Sequence, residues 1–147
     1  MPASLHVYVA GSSREIPRVR EAMRALVRGG CTISGDWVQL VEQHGSAAAR
    51  LDDLQRAACA QHDLDAIDRA DAILVLWPRT ESVGAYVELG YALAATRYGD
   101  RFAVAIAGGP QGGTIWHSFV RQHTDGETFD LDEEAVRWLC GREREER

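Results

Sequence analysis

Apolar and polar positions alternate through Leu5-His6-Val7-Tyr8-Val9-Ala10, and the run stops at Gly11-Ser12-Ser13. A β-rich alternating segment closed by a polar turn predicts a first strand. From Arg14 to Arg28 the period changes: Ile16, Val19, Met23, Leu26 and Val27 recur at helical spacing, with arginines on the opposite face. Pro17 suits a helix only in its first turn, which sets the start near Arg14, with Ser12 or Ser13 as cap. Gly29-Gly30 ends the helix. Cys31-Thr32-Ile33-Ser34 predicts a short second strand, and residues 35–45, with Trp37 and His44, a loop.

A second helical stretch runs from Ala47 to Ala70, broken near His62, with an apolar stripe of Leu51, Leu54, Ala58, Leu64 and Ile67. Asp71-Ala72-Ile73-Leu74-Val75-Leu76-Trp77 is continuously apolar after its first residue, as a strand buried on both faces must be. Pro78 to Val83 is a loop. Gly84 to Arg97 is helical, and its small residues Ala85, Gly90, Ala92, Ala94 and Ala95 suit close packing on a sheet. Phe102 to Ala107 is a fourth strand, closed by Gly108-Gly109-Pro110. A short helix falls at Ile115 to Arg121 and a short fifth strand at Thr128-Phe129. Asp130-Leu131-Asp132-Glu133 has capping-box spacing before a last helix, Glu133 to Cys140. The tail GREREER, residues 141–147, is expected to fray.

Strands alternating with helices predict an α/β fold with a mostly parallel sheet. A flavodoxin-like three-layer sandwich with five strands in the order 2-1-3-4-5 is the expected arrangement. Ligands then bind beyond the C-terminal ends of strands 1 and 3, where the strand order reverses. Gly11–Arg14, Trp77–Glu88 and the Gly108–Ser118 loop reach that crevice.

The 147 residues fit one domain spanning 1–147, and 46% hydrophobic against 26% charged residues can build a packed core. The formal net charge of -6, from 16 basic and 22 acidic side chains, argues against a nucleic-acid polymer as partner, though not against a single nucleotide. Cys31, Cys59 and Cys140 form no CxxC pair, and their odd number argues against a disulfide framework. No apolar run approaches the ~20 residues of a membrane span. MPASLHVYVAG enters a strand directly and is no signal peptide. A soluble cytoplasmic protein with no membrane partner is the expectation.

Two stretches carry candidate chemistry. Gly11-Ser12-Ser13-Arg14 follows a strand and opens a helix, so backbone N–H groups and the helix dipole favour an anion, to which Arg14 could add a charged bond. It is equally what an ordinary capped strand-to-helix turn requires. It is neither GxGxxG nor a lysine-bearing phosphate loop. The second stretch is Ser82-Val83-Gly84-Ala85-Tyr86-Val87-Glu88-Leu89-Gly90-Tyr91-Ala92. Glu88 stands early in a helix that is otherwise small and apolar, an expensive place for a carboxylate unless it is paired or edges a pocket. The nearby helix N-terminus is expected to lower its pKa and keep it ionised. An oriented carboxylate suits an oxocarbenium-like centre; a helix-start glutamate that answers the dipole is the plainer explanation. Asp63, Asp65, Asp68 and Asp71 precede the third strand. Most fit solvated caps, and Asp71 opens the strand at the end away from the crevice. The histidines have no metal-ligand spacing, and neither a GxSxG elbow nor a Cys–His signature occurs. No metal and no cofactor is expected.

The ordered set Val7-Tyr8-Val9-Ala10-Gly11-Ser12, Asp63-Leu64-x-x-Ile67-x-x-Ala70-Asp71, the apolar strand after it, and Ser82-x-Gly84-x-x-x-Glu88-Leu89-Gly90-Tyr91-Ala92 resembles the nucleoside 2-deoxyribosyltransferase family, and within it the 2'-deoxynucleoside 5'-monophosphate N-glycosidases. The motifs span most of residues 5–97. The resemblance implies Glu88 as nucleophilic carboxylate, Tyr8 as the tyrosine that orients it, and Asp63 as the aspartate at the sugar hydroxyl or leaving base. It places Ser12, Arg14 and Ser82, with Gly11 and Gly84 in the same turns, where a 5'-phosphate is held. It also implies a homodimer or larger assembly, with Trp116-His117-Ser118 at the partner's loop and Ser118 in the neighbouring site.

The expected activity is cleavage of the N-glycosidic bond of a nucleoside or nucleoside 5'-monophosphate, with hydrolysis slightly favoured over sugar transfer. Two alternatives stand beside it: a TIR-like NAD hydrolase, and a nucleotide-binding module without catalysis.

Overall fold

A computed structural model describes residues 3–44, 52–97, 102–109, 120 and 125–142 of the chain. Five parallel strands lie in the order β2-β1-β3-β4-β5. They are β1 (His6–Ala10), β2 (Thr32–Ile33), β3 (Ala72–Leu76), β4 (Ala103–Ala107) and β5 (Asp125–Phe129). Helices α1 (Ile16–Arg28), α2 (Trp37–His44), α3 (Asp53–Asp68), α4 (Val83–Arg97) and α5 (Asp132–Cys140) cover the sheet. The packing pairs α1 with α5 and α3 with α4. This is the α/β architecture and strand order that the sequence predicts.

Every residue of β3 and β4 is buried. Continuous apolar runs are what a strand covered on both faces requires. In β1, His6 is half-buried and Val7 to Ala10 are buried. The register aligns Tyr8 with Ile73 and Ala10 with Val75, so β1 and β3 end at one level and their following turns share one edge of the sheet.

Several elements differ from the sequence expectation. The segment 35–45 carries α2 where a loop was expected. Trp37 and Val38 are buried, Val41 packs on the core, and Asp36 Oδ1 accepts from the Gln39 N–H at 3.0 Å. An aspartate cap and one apolar turn suffice once a core offers contacts. Helix α3 runs unbroken through His62, and its start is a reciprocal capping box between Asp52 and Gln55. Residues 47–51 of that expected helix, the expected helix at 115–121 apart from buried Val120, and residues 143–147 of the tail lie outside the described residues. Helix α1 begins at Ile16 and is capped by Glu15 without a side-chain hydrogen bond, not by Ser12 or Ser13. Pro17 does sit in its first turn. Strand β5 starts at Asp125 because pairing with β4 recruits the weak β-formers Asp125 and Gly126. The last helix is capped one residue later than expected, with Glu134 Oε2 accepting from the Leu131 N–H at 3.4 Å.

On α4 only part of the small-residue set packs inward. Ala85, Leu89 and Ala92 are buried, whereas Gly90 and Ala94 are exposed. A residue 100° further round each turn cannot share the buried stripe. Among the described residues no helix is long and apolar enough to cross a membrane.

Candidate active site

Glu88 is the sixth residue of α4, three after buried Ala85 and four before buried Ala92. That position puts it on the flank of the packed stripe, facing the sheet edge. Tyr8, in the middle of β1, is fully buried, and its hydroxyl donates to Glu88 Oε1 at 3.1 Å. Helix α3 brings Asp63 to the same corner. Tyr91, one turn after Glu88, donates to Asp68 Oδ1 at 2.8 Å and ties α4 to α3. Asp68, one of the aspartates before the third strand of which most fit solvated caps, is thus a tie between two helices.

Electrostatics in this corner reverse one expectation. Glu88 is pushed up to about 8, first by burial and then by the charge of Asp63, while the Tyr8 hydrogen bond pulls the other way. The helix dipole falls off within the first turn, and Glu88 lies beyond it. At neutral pH Glu88 therefore holds its proton, where the sequence suggested a carboxylate. Asp63 is raised by burial and lowered by His62, whose Nδ1 lies 3.2 Å from Asp63 Oδ1. Burial, then Glu88 and Asp63, push the Tyr8 hydroxyl far above the ordinary phenol range.

The turn after β1 and the loop after β3 meet beside this group. Ser12 is buried, its Oγ accepts from the Arg14 N–H at 3.2 Å, and it lies 3.3 Å from Thr80 Oγ1. Thr80 was part of an undifferentiated loop in the sequence; its contact with Ser12 depends on β1 and β3 being neighbours. Ser82 is half-buried, and Gly84 and Arg14 are exposed. Gly11 has a packing reason of its own: a Cβ there would come within 2.7 Å of Val19 Cγ2, so only glycine lets α1 close on the strand. Ser118, His117 and Trp116 lie outside the described residues.

Arg18 braces the crevice from beneath. Its Nε and Nη2 donate to the two oxygens of Asp132 at 2.7 and 2.8 Å, and its Nη1 donates to the Trp77 carbonyl at 2.8 Å and to Glu15 Oε1 at 3.1 Å. Glu15 Oε2 accepts from the Arg79 N–H at 2.9 Å. The network joins α1, α5 and the start of the β3–α4 loop. Asp71 is structural as expected, its Oδ2 accepting from the His6 N–H at 3.0 Å. Cys31 and Cys140, distant in sequence, have sulfurs 3.8 Å apart as free thiols. Among the described residues no group of three or more His, Cys, Asp or Glu side chains is placed to hold a metal ion.

The chain resembles a solved structure, the CMP N-glycosidase BcmB of Clostridium botulinum, with a TM-score of 0.58 and 15% identity over 91% of this chain and 97% of that one. At that identity the likeness shows the fold. A flavodiiron core, Flv1 of Synechocystis, aligns with a TM-score of 0.48 and 10% identity over 95% of this chain and 34% of that one. No protein-family model and no curated protein sequence matches the chain.

Proposed function

We propose that the chain cleaves the N-glycosidic bond of a nucleoside or nucleoside 5'-monophosphate, with Glu88 as nucleophile and water as the favoured acceptor of the sugar. The observation that carries the reading is the Tyr8 hydroxyl on Glu88 Oε1, in a buried corner shared with Asp63. Its support from outside the site is the fold shared with a CMP N-glycosidase across nearly the full length of both chains.

The chemistry follows from the protons present. Glu88 is protonated at neutral pH, held so by burial and by the negative charge of Asp63. A departing base needs a proton on its ring nitrogen. As the C1'–N bond breaks, the proton that Glu88 gives up passes by way of Asp63 to the base. Tyr8 holds Oε1, so Oε2 is the oxygen left to close on C1' and form a glycosyl ester. Water then attacks C1', the ester breaks, the free sugar leaves and Glu88 regains its proton. A second base in place of water gives sugar transfer. Ser12, Thr80 and Ser82, with the turn at Gly11, are the groups for a 5'-phosphate.

A second copy of the chain packs on α4. Val83, Val87 and Tyr86 are 67%, 60% and 41% exposed on the helix that carries Glu88, a costly arrangement for a lone monomer. Light scattering on the wild type and on Val87→Asp tests this, and a monomeric wild type refutes it.

The deciding experiment is incubation with a panel of nucleosides and 5'-monophosphates, with and without a second free base, followed by chromatography. Free base is the expected product. Intact substrates throughout the panel, under conditions where the protein is folded, refute the proposal.

A further inference from the structure

His62 has no part in the steps above, yet its placement is specific. It precedes Asp63 on α3, its side chain is 37% exposed, and its Nδ1 lies 3.2 Å from Asp63 Oδ1. The turn between β2 and α2 lies on the same side of α3 as the ring. Gly35 there has φ +77°, and a Cβ on it would lie 2.5 Å from Ala66 Cβ and 3.5 Å from His62 Cε1. Ser34 Oγ donates to the Ala66 carbonyl at 2.5 Å and anchors that turn on α3. The hydrogen bond ties the imidazole to the carboxylate beside it on α3.

We infer that His62 is a positioning residue: its Nδ1–H holds Asp63 Oδ1 so that the Asp63 carboxylate stays charged and aimed at the Tyr8–Glu88 pair. The groups facing Asp63 are His62 on its own helix, Tyr8 from β1 and Glu88 from α4; the β2–α2 turn offers uncharged Gly35. The imidazole favours the charged form of Asp63 against its burial. In turn the Asp63 charge adds to burial in keeping the proton on Glu88. His62 thus favours the arrangement in which Asp63 is charged and Glu88 carries the proton. The kinetic consequence rests on the proposed N-glycosidase reaction; the placement of the proton does not.

The test is a pH titration of folded protein with carbon-13-labelled carboxyl groups, assigned through Asp63→Asn and Glu88→Gln. The Asp63 midpoint moves up in His62→Ala and in the space-filling His62→Gln. It returns toward wild type in His62→Asn, which puts an amide donor near the Nδ1 position. In the same variants kcat/KM falls about tenfold further on the acid limb than at the plateau in His62→Ala and His62→Gln, since Asp63 gains a proton there as well as losing its hold. A residue with a merely structural role would lower activity evenly at all pH values. An unchanged Asp63 midpoint in both His62→Ala and His62→Gln overturns the inference. If the wild type turns over no nucleoside or nucleotide, the reaction is wrong, and the titration still decides the role of His62.

Discussion

The Tyr8 hydroxyl reaches Glu88 Oε1 at 3.1 Å although 80 positions separate the two residues. Strand β1 lies beside β3, and α4 springs from the end of β3, so the strand order alone carries the two side chains to one corner. The bond immobilises one carboxyl oxygen and leaves the other available. Because the corner is dry, and because Asp63 adds a negative charge, the glutamate keeps its proton to about pH 8.

That proton gives the reaction an alkaline limit. Under the proposed mechanism the resting enzyme needs Glu88 protonated, so kcat/KM falls as pH rises through about 8. Tyr8→Phe removes a hydrogen bond that favours the carboxylate, so its alkaline limb lies at higher pH and its kcat is lower by roughly ten- to a hundredfold. Initial rates across a pH series check both. An alkaline limb unmoved in Tyr8→Phe contradicts the coupling.

Glu88→Gln separates chemistry from folding. Turnover falls by at least about a thousandfold while substrate binding survives. Stability moves the other way, and its pH dependence has a definite sign. Glu88 binds its proton more tightly in the folded protein than the ordinary value of 4.5 allows in the unfolded chain. The stability it contributes is complete below 4.5 and is lost as pH rises through about 8. Thermal melts of wild type and Glu88→Gln should therefore lie close together near about pH 5 and diverge by about pH 9. The glutamine variant is then the more stable, by roughly 1–3 kcal/mol after allowance for partial exposure. Equal melting curves at alkaline pH would show that Glu88 is solvated.

Ser12→Ala tests the phosphate reading. Ser12 is buried and faces Thr80 across the crevice. Its loss should weaken a 5'-monophosphate by about tenfold, roughly one charged hydrogen bond, and leave the matching nucleoside unchanged. Isothermal titration with the two ligands on a Glu88→Gln background measures binding without turnover. An equal loss for both ligands removes the phosphate from the site.

Two nearby arginines should differ sharply in how much their loss matters. Arg18→Met strands Asp132 and Glu15 in a partly buried network and frees the Trp77 carbonyl, which should cost roughly 2–4 kcal/mol. Arg14 is exposed, and Arg14→Ala should change stability by less than about 0.5 kcal/mol. Chemical denaturation of both variants makes the comparison. A near-neutral Arg18→Met would mean that the network is solvated and does not brace the β3–α4 loop.

Much of the scaffold is legible in the chain itself. The apolar runs of β3 and β4, the helical period after Arg14 and the punctuation at Gly29-Gly30 each report a local requirement of backbone and burial. Helix α2 and the first half of β5 escaped because their residues have weak local preferences. Trp37 and Val38 become helical only against a formed core, and Asp125 and Gly126 become strand only beside β4. The glutamate motif marked Glu88 but misjudged its charge, because the helix dipole is visible in a sequence and desolvation is not.

Sequence by itself determined the parallel α/β architecture, since periodicity and glycine placement act over a few positions; its strand order matched the flavodoxin-like arrangement expected of such a chain. The family resemblance implied Tyr8 beside Glu88, but only the tertiary structure decided that Ser12 meets Thr80, that Arg18 is a brace, and that Glu88 holds a proton. Those outcomes depend on which side chains share a dry corner. Distance and dielectric across neighbouring strands set that, and the order of residues along the chain does not.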